Sequence, residues 1–466
     1  MNPVLIGIVV YVIVQLLVVF AITRKVRGES DYLLAGRRFG PGLATFMIFA
    51  TWFGAETCIG AAGAVYEGGL YGSVADPFGY SICLFLMGLF FAAPLWRRKL
   101  TTFADLFRQR YSPGVERLAV LLLVPTSIMW AAAQIRALGQ VISATSSFDV
   151  ELAIALAAGV VVVYTVYGGL MADAIADVIQ GVMVMLGLVV LLVVVVNAIG
   201  GVEAALAAVD TDKLRLFGGP DAAPLAVLEK WAIPITGSVV AQELVAVILA
   251  SRSPQVAQRA SLVAGALYFT FGLIPVFIGL IGVTLLPGLA DPEQLLPQVA
   301  QRYLSTLPYI LFVGAMISAI LSTVASALLA AAALTSHNLV TPLKPSLTDR
   351  QRLLVARLGV VIAGLLAYLL ARHADSIYEL VEQSSAFGGA SIFVIVMFGL
   401  FTRIGGARAA LSAMVTGVVV WVGAGLVPNW PHPYLSSLAA AVIIYLVVAL
   451  LERGHGRSND VRAAHG

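Results

Sequence analysis

Long apolar stretches alternate with short polar connections along almost the whole chain. A helix needs about 20 consecutive apolar residues to cross the hydrocarbon core of a bilayer. Thirteen stretches meet this requirement, and each is predicted to be a transmembrane helix, numbered here from span 1 to span 13. They cover residues 4–23, 42–66, 72–95, 116–145, 149–168, 173–199, 227–250, 260–286, 308–334, 352–371, 377–401, 406–427 and 433–451.

Spans 2 and 7 contain residues that interrupt a helix. Interrupted spans in corresponding positions of two halves are the sequence sign of an inverted-repeat transporter, whose unwound backbone binds ion and solute near the bilayer midplane. Close packing of glycine-containing helices is the alternative interpretation. The residues are Gly54, Gly60 and Gly63 around Glu56 in span 2, and Pro234 and Gly237 before Glu243 in span 7.

Span 9 carries small polar residues on one face. Ala319, Ser322 and Thr323 are separated by three and four positions, so they lie on one side of a helix, one turn apart. A carbonyl and two hydroxyls suit a hard cation that prefers oxygen ligands. Serine and threonine also bond to the carbonyl four residues earlier. This segment alone therefore leaves an ion site and a purely structural role open.

Composition and charge decide the class of protein. The chain has 466 residues, of which 60% are hydrophobic and 11% charged, and its mean hydropathy is +0.97. These values exclude a soluble globular protein and indicate an all-α integral membrane protein within the lipid bilayer. The net charge of +3 does not indicate a nucleic-acid partner, because the charges lie in loops. Most of the 28 Lys and Arg residues fall on one side, which predicts an external N-terminus and a cytoplasmic C-terminus.

The sequence shows no phosphate-binding loop, nucleophile elbow or cluster of metal ligands, so neither ATP-driven pumping nor an enzymatic activity is predicted. We predict a single transmembrane domain over residues 1–451, with core repeats at about 41–199 and 225–401. Residues 452–466 are predicted to form a polar cytoplasmic tail. The external connection 287–307 is predicted to contain a short amphipathic helix.

Four motifs make the chain resemble the sodium:solute symporter family over nearly its whole length. The resemblance implies a five-plus-five inverted repeat of the leucine-transporter type with extra helices at the ends, in the plasma membrane. It also implies sodium-coupled uptake of a small solute by alternating access. The motifs, in the family's order and spacing, are DYLLAGRR (31–38), ATWFGAETCIGAAG (50–63), VYGGLMADAIADVIQG (166–181) and SAILSTVASALLAAA (318–332).

The resemblance implies a sodium site between spans 2 and 9. The family's conserved ligands correspond to the backbone carbonyls of Ala50 and Phe53 at the interruption of span 2. The carbonyl of Ala319 and the hydroxyls of Ser322 and Thr323 complete the set. Five oxygens without a carboxylate form a shell of low charge, which suits a monovalent ion.

A second sodium site of some family members matches this sequence in part. Asp177 corresponds to its acidic ligand, and Ser322 and Ser326 to two of its hydroxyls. Ala325 stands where a further side-chain ligand is expected. Asp173 lies on the same helix face, one turn nearer the interface, and is predicted to be hydrated.

Spans 3 and 4 resemble those of the high-affinity choline transporters, through PFGYSICLFLMGLFFAAP (77–94) and WAAAQIRALGQVIS (130–143). Those transporters hold a quaternary ammonium in an aromatic cage. The resemblance places three cage residues at Trp52, Tyr80 and Trp130, and a cation is stabilised over such rings. Ala241 replaces a fourth cage residue, a tryptophan. Membrane tryptophans and tyrosines also act as packing or interfacial anchors, which is the alternative.

Further polar residues are predicted to contact the solute. Gln134 shares a helix face with Trp130. Glu56 could bind a substrate ammonium or the broken helix ends. Arg136, turned by about 120° from Trp130, is expected to pair with a buried acid such as Glu243 or Asp177, or to bind a substrate carboxylate. The remaining candidates are Thr57 and Gln242.

The predicted function is sodium-coupled import of a small organic cation or zwitterion such as choline or betaine. One alternative is sodium-coupled uptake of an amino acid such as proline, or of a monocarboxylate. A transporter-like receptor or an uncoupled ion pathway is the alternative from a different class.

Overall fold

The computed structural model describes residues 28–463 except 147, 221, 375 and 429, together with isolated positions between 6 and 21. In this part of the chain, ten helices are long and apolar enough to cross a membrane, and two bent helix pairs raise the number to 12. They correspond one to one with predicted spans 2–13. Span 1 (4–23) lies largely outside the described residues.

The observed bounds agree with the predicted ones to within a few residues at most ends. Spans 2 and 7 are the bent pairs Pro41–Trp52 with Glu56–Gly72 and Pro224–Val240 with Gln242–Ala250. The others are Val74–Arg97, Pro113–Ser143, Val150–Met171, Asp173–Ile199, Pro254–Leu280, Thr306–Leu343, Asp349–His373, Ile377–Phe401, Ala407–Leu426 and Pro433–Glu452. The last of these helices continues to Ala463.

Local sequence explains where several helices begin. Pro113 and Pro254 occupy the first turn, where the missing N–H is not needed. Ser112 Oγ accepts a hydrogen bond from Val115 N at 3.3 Å and thereby caps span 4. Shorter helices lie in the connections, at Glu29–Leu34, Asp105–Arg110, Val202–Ala207 and Leu295–Tyr303. The last of them is the predicted external helix, with Leu295, Leu296 and Val299 buried and Gln298 exposed.

Spans 5 and 6 follow each other without a separate loop. The helix runs over Val150–Ile199 and kinks at Gly169, which has φ 63° and ψ 175°. Residues with a side chain rarely adopt this φ, and an added Cβ would lie 2.8 Å from Tyr32 Cδ2. Glycine is therefore required at this kink.

Span 9 is the most enclosed of the ten unbroken spans. In its most apolar window, 89% of the residues are buried, against 28–67% in the other nine. It packs against spans 4, 5 and 6 and against the first half of span 2. The hydroxyls of Ser322 and Thr323 are therefore fully buried rather than exposed to lipid.

Both predicted interruptions are present, but one lies elsewhere than predicted. Span 2 bends by 54° between Trp52 and Glu56, at the predicted glycine. Span 7 bends by 44° at Ala241, where the backbone becomes extended with φ −67° and ψ 132°. The expected break at Pro234 and Gly237 is wrong in position, because Ile233–Gly237 forms a wide helical turn that accommodates the proline near its start.

Candidate functional site

The break in span 2 frees backbone groups that residues of other spans satisfy. Ala55 N donates to Gln134 Oε1 at 2.7 Å, so span 4 caps the second half of the broken helix. Gly54 permits this approach, since an added Cβ would lie 2.6 Å from Gln134 Oε1 and 2.9 Å from Thr323 Oγ1. Three spans therefore meet at one glycine. In the described part of the chain, the side-chain oxygen of Gln134 is therefore hydrogen-bonded to this helix end.

Predicted sodium ligands meet on the other side of the break. Thr323 Oγ1 lies 3.0 Å from Ala50 O and 3.0 Å from Ala319 O. The second contact is the back-bond within span 9, and the first crosses to span 2. Phe53 follows the last helical residue with non-helical φ −79° and ψ 66°. Oxygens of both spans thus converge where the resemblance implies the ion.

Two hydroxyl–carboxylate pairs join span 9 to span 6. Ser322 Oγ donates to Asp177 Oδ1, and Ser326 Oγ donates to Asp173 Oδ2 at 2.6 Å. Both acids are at most 1% exposed, and each has one carboxylate oxygen without a hydrogen-bond partner among the described residues. The expectation that Asp173 is hydrated is wrong, because this face of span 6 packs against span 9. Their spacing of four residues was the signal that the two acids belong together.

Three aromatic rings from three spans lie beside the same break. The ring centroids of Trp52 and Trp130 are 5.7 Å apart, and those of Tyr80 and Trp130 are 6.3 Å apart. All three side chains are buried. Such an arrangement stabilises packing and also provides ring faces for a cation. We call these three residues the ring cluster.

A narrow cavity, the ring cavity, separates part of this cluster from span 7. Its volume is about 30 Å³, enough for roughly one water molecule. Ala241 lines it together with Trp52 and Trp130. The cavity is therefore too small for an organic molecule in this conformation. Other lining residues are Ser238, Glu243, Ser384 and Ser385.

Glu56 and Thr57 belong to a buried cluster whose central acid, Asp76, was missed from the sequence. Asp76 Oδ2 accepts hydrogen bonds from Thr57 Oγ1 at 2.6 Å and from Tyr268 at 2.7 Å. Glu56 Oε1 accepts one from Tyr80 at 3.4 Å. Neither Glu56 nor Thr57 lines the ring cavity. An acid inside an apolar stretch was the signal that could have identified Asp76.

Gln242 and Arg136 lie away from the ring cavity. Gln242 Oε1 accepts a hydrogen bond from Phe103 N at 2.7 Å, in the connection between spans 3 and 4. Arg136 lines a separate cavity of about 570 Å³, which we call the vestibule. The expected partner Glu243 lines the ring cavity instead. Acidic and basic residues share the vestibule, among them Glu67, Lys230, Glu293 and Glu382.

The connection between spans 3 and 4 is also tied to the end of span 9. Asn338 Nδ2 lies 2.9 Å from Asp105 Oδ1 and 2.7 Å from Glu116 Oε1, and Thr102 Oγ1 donates to Asn338 Oδ1 at 2.6 Å. Burial acts to raise the pKa of Asp105. The neighbouring His337 and two backbone N–H donors outweigh burial and hold that pKa below its ordinary value. The network therefore contains an ionised carboxylate at neutral pH.

Comparisons with known proteins agree with this architecture. The sequence profile of the sodium:solute symporter family matches residues 32–417. High affinity choline transporter 1 of Homo sapiens is 29% identical over 458 residues, which are 92% of this chain and 77% of that protein. The sodium/proline symporter of Staphylococcus aureus is 27% identical over 440 residues, 89% of this chain and 85% of that one. The high-affinity choline transporter 1 of Caenorhabditis elegans is 28% identical over 391 residues, which are 75% of this chain and 63% of that protein.

Solved structures show the same fold. A Na⁺-coupled sialic acid symporter, in a substrate-bound outward-open state, matches with a TM-score of 0.82 at 18% identity, over 96% of both chains. A nucleobase-cation-symport-1 family transporter in a closed conformation matches with a TM-score of 0.62 at 18% identity, over 90% of this chain and 93% of that one. The fold is therefore the predicted inverted repeat of the leucine-transporter type.

Proposed function

Because the chain belongs to the sodium:solute symporter family, we propose that it imports an ammonium-bearing cation or zwitterion, of the choline or betaine type, together with sodium. One observation carries this proposal. The ring cluster and the contact between Thr323 Oγ1 and Ala50 O, at 3.0 Å, lie at the same helix break. Solute and ion would therefore share one broken helix, so that each could affect binding of the other.

Sodium would act by joining two spans that, in the described part of the chain, share the hydrogen bond from Thr323 Oγ1 to Ala50 O. Its proposed ligands come from span 2 (Ala50, Phe53) and span 9 (Ala319, Ser322, Thr323). An ion that binds only when these spans are together stabilises that arrangement by its own binding free energy. We propose that this is the outward-open state and that low cytoplasmic sodium favours release of ion and solute after inward opening. The charge distribution supports an external N-terminus and a cytoplasmic C-terminus for this cycle.

Uptake by proteoliposomes containing the purified protein tests the proposal. Labelled choline, betaine and proline are each offered with an inward sodium gradient, and with potassium in place of sodium as the control. We expect sodium-dependent accumulation of choline or betaine. Accumulation of proline alone would favour the second candidate, amino-acid uptake, which the similarity to the sodium/proline symporter supports. Sodium flux without solute uptake would favour an uncoupled pathway.

We propose a second sodium site at Asp177 and Ser326, and Asp177→Asn tests it. The amide keeps the size of the side chain and an acceptor for Ser322 but removes the charge. We expect the half-saturating sodium concentration to rise several-fold, or transport to slow, in measurements of uptake against sodium concentration. Glu151→Gln, at an exposed acid paired with Arg372 at 3.1 Å, is the control and should change neither. Normal kinetics with only lowered expression would assign Asp177 a structural role.

A further inference from the structure

One oxygen of a carboxylate that lines the ring cavity has no described partner, although Ser127 and a backbone N–H interact with the same carboxylate. Glu243 lines the cavity with Trp52 and Trp130, its residue is 7% exposed, and Oε1 has no hydrogen-bond partner among the described residues. An acceptor buried in this way is destabilised unless something donates to it. An occupant of the cavity that carries a donor would therefore bind more favourably than one that carries none.

Burial disfavours the charged form of Glu243, and the position of this residue on its helix offsets part of that cost. Glu243 is the second residue of Gln242–Ala250, which begins directly after the break at Ala241. The first turn of a helix has unsatisfied N–H groups and a positive end of the macrodipole, and both stabilise a carboxylate there. The cavity is thus lined by two indole rings and by a carboxyl group.

The hydroxyls that line the cavity are already engaged. Ser238 Oγ and Ser385 Oγ are 3.1 Å apart and bond to each other, Ser384 Oγ donates to Val381 O at 2.9 Å, and Thr126 Oγ1 donates to Leu123 O at 2.7 Å. The other lining polar atoms without a described partner are donors, the indole N–H groups of Trp52 and Trp130. Among the described side chains that line this cavity, Glu243 therefore provides the acceptor oxygen without a partner.

Rings and a carboxylate distinguish organic cations differently. A ring face attracts a cation whether or not the nitrogen carries hydrogen. A carboxylate gains an additional charge-assisted hydrogen bond only from an N–H donor. We propose that Glu243 makes the transporter bind protonated amines with at least one N–H more tightly than quaternary ions such as choline, an inference that rests on the proposed function and refines the ammonium class named there. Ala241, which lines the same cavity, leaves this part of the wall without the aromatic ring that a quaternary ammonium would contact.

Two solutes that differ by one methyl group test this selection. Protonated N,N-dimethylethanolamine and choline both have a hydroxyl and a positive charge, but only the former has an N–H. Each competes against labelled solute for sodium-dependent uptake into proteoliposomes. We expect the tertiary amine to compete at a concentration at least tenfold lower than choline, which corresponds to about 1.4 kcal/mol. This comparison needs no variant, so it does not depend on whether any substitution folds.

Glu243→Gln tests the residue itself. The amide keeps the shape and an acceptor but loses the charge, so the tenfold preference should fall toward equality while thermal stabilisation by sodium persists. Glu67→Gln, at an exposed acid of the vestibule, is the matched control and should keep the preference. Equal or better competition by choline in the natural protein, or an unchanged preference in Glu243→Gln, would overturn this inference and leave the proposed function intact. Failure of both amines to compete would overturn both proposals.

Discussion

Thr323→Ala raises the sodium concentration for half-maximal transport at least tenfold. The substitution removes the hydroxyl that reaches both Ala50 O and Ala319 O at 3.0 Å. A hydrogen bond or ligand contact to a charged group contributes about 1.5–3 kcal/mol, and every 1.4 kcal/mol is about a factor of ten in affinity. Uptake measured against sodium concentration reports the change, with solute held at saturation.

Two further variants make this result specific. Thr335→Ala, farther along the same helix, removes a back-bond of 2.8 Å to Ala331 O and should leave sodium dependence unchanged. Thr323→Ser keeps the hydroxyl and should retain most of the affinity. If Ser322→Ala and Thr323→Ala together leave the sodium dependence of transport unchanged, the assignment of the ion site is wrong.

Trp52→Leu removes most of the binding of the preferred cation. Leucine fills part of the space but has no ring face, and a desolvated cation–π contact contributes about 1–2 kcal/mol. The measured quantity is the ratio of apparent affinities for choline and for its uncharged carbon analogue, 3,3-dimethylbutanol. In the natural protein this ratio favours the cation, and in the variant it should fall about tenfold. Lost packing alone would weaken both ligands equally.

Trp421→Leu is the control for loss of an indole that is packed but half-buried. Trp421 packs edge-to-face on Phe387 at 5.5 Å and does not line the ring cavity. It should lower stability without changing the ratio. Glucose should not compete in either protein, because the candidate polar groups Thr57, Gln134 and Gln242 are each engaged by other parts of the chain. If glucose or a monocarboxylate competed better than the organic cations, that result would contradict the proposed cation site.

The spans could be predicted because each depends on a property of the chain itself, a long apolar run. The position of the break in span 7 could not, because it depends on which residue leaves the helix. Pro234 and Gly237 suggested the position, but the wide turn Ile233–Gly237 accommodates the proline inside the helix Pro224–Val240. The extended backbone of Ala241 has no residue-level signal, since alanine is the best helix former.

Contacts between spans were the least predictable part of the site. The convergence of Trp52, Tyr80 and Trp130 came from the resemblance, not from periodicity, which gives only the face of each helix. Ser326 was assigned to the ion site of Asp177, but its described partner is Asp173, one turn away. Sequence spacing cannot resolve a difference of one turn, about 5.4 Å, because it does not give the relative position of two packed helices along their axes.

The break in span 7 also joins two regions of the transporter through a single peptide unit. Ala241 lines the ring cavity, and the next residue, Gln242, accepts a hydrogen bond from Phe103 in the connection that we propose to lie at the cytoplasmic face. Consecutive Cα atoms are only about 3.8 Å apart. We therefore expect that a displacement of Ala241 disturbs the hydrogen bond between Gln242 and Phe103. Occupancy of the cavity and the position of this connection would then be coupled through one peptide unit.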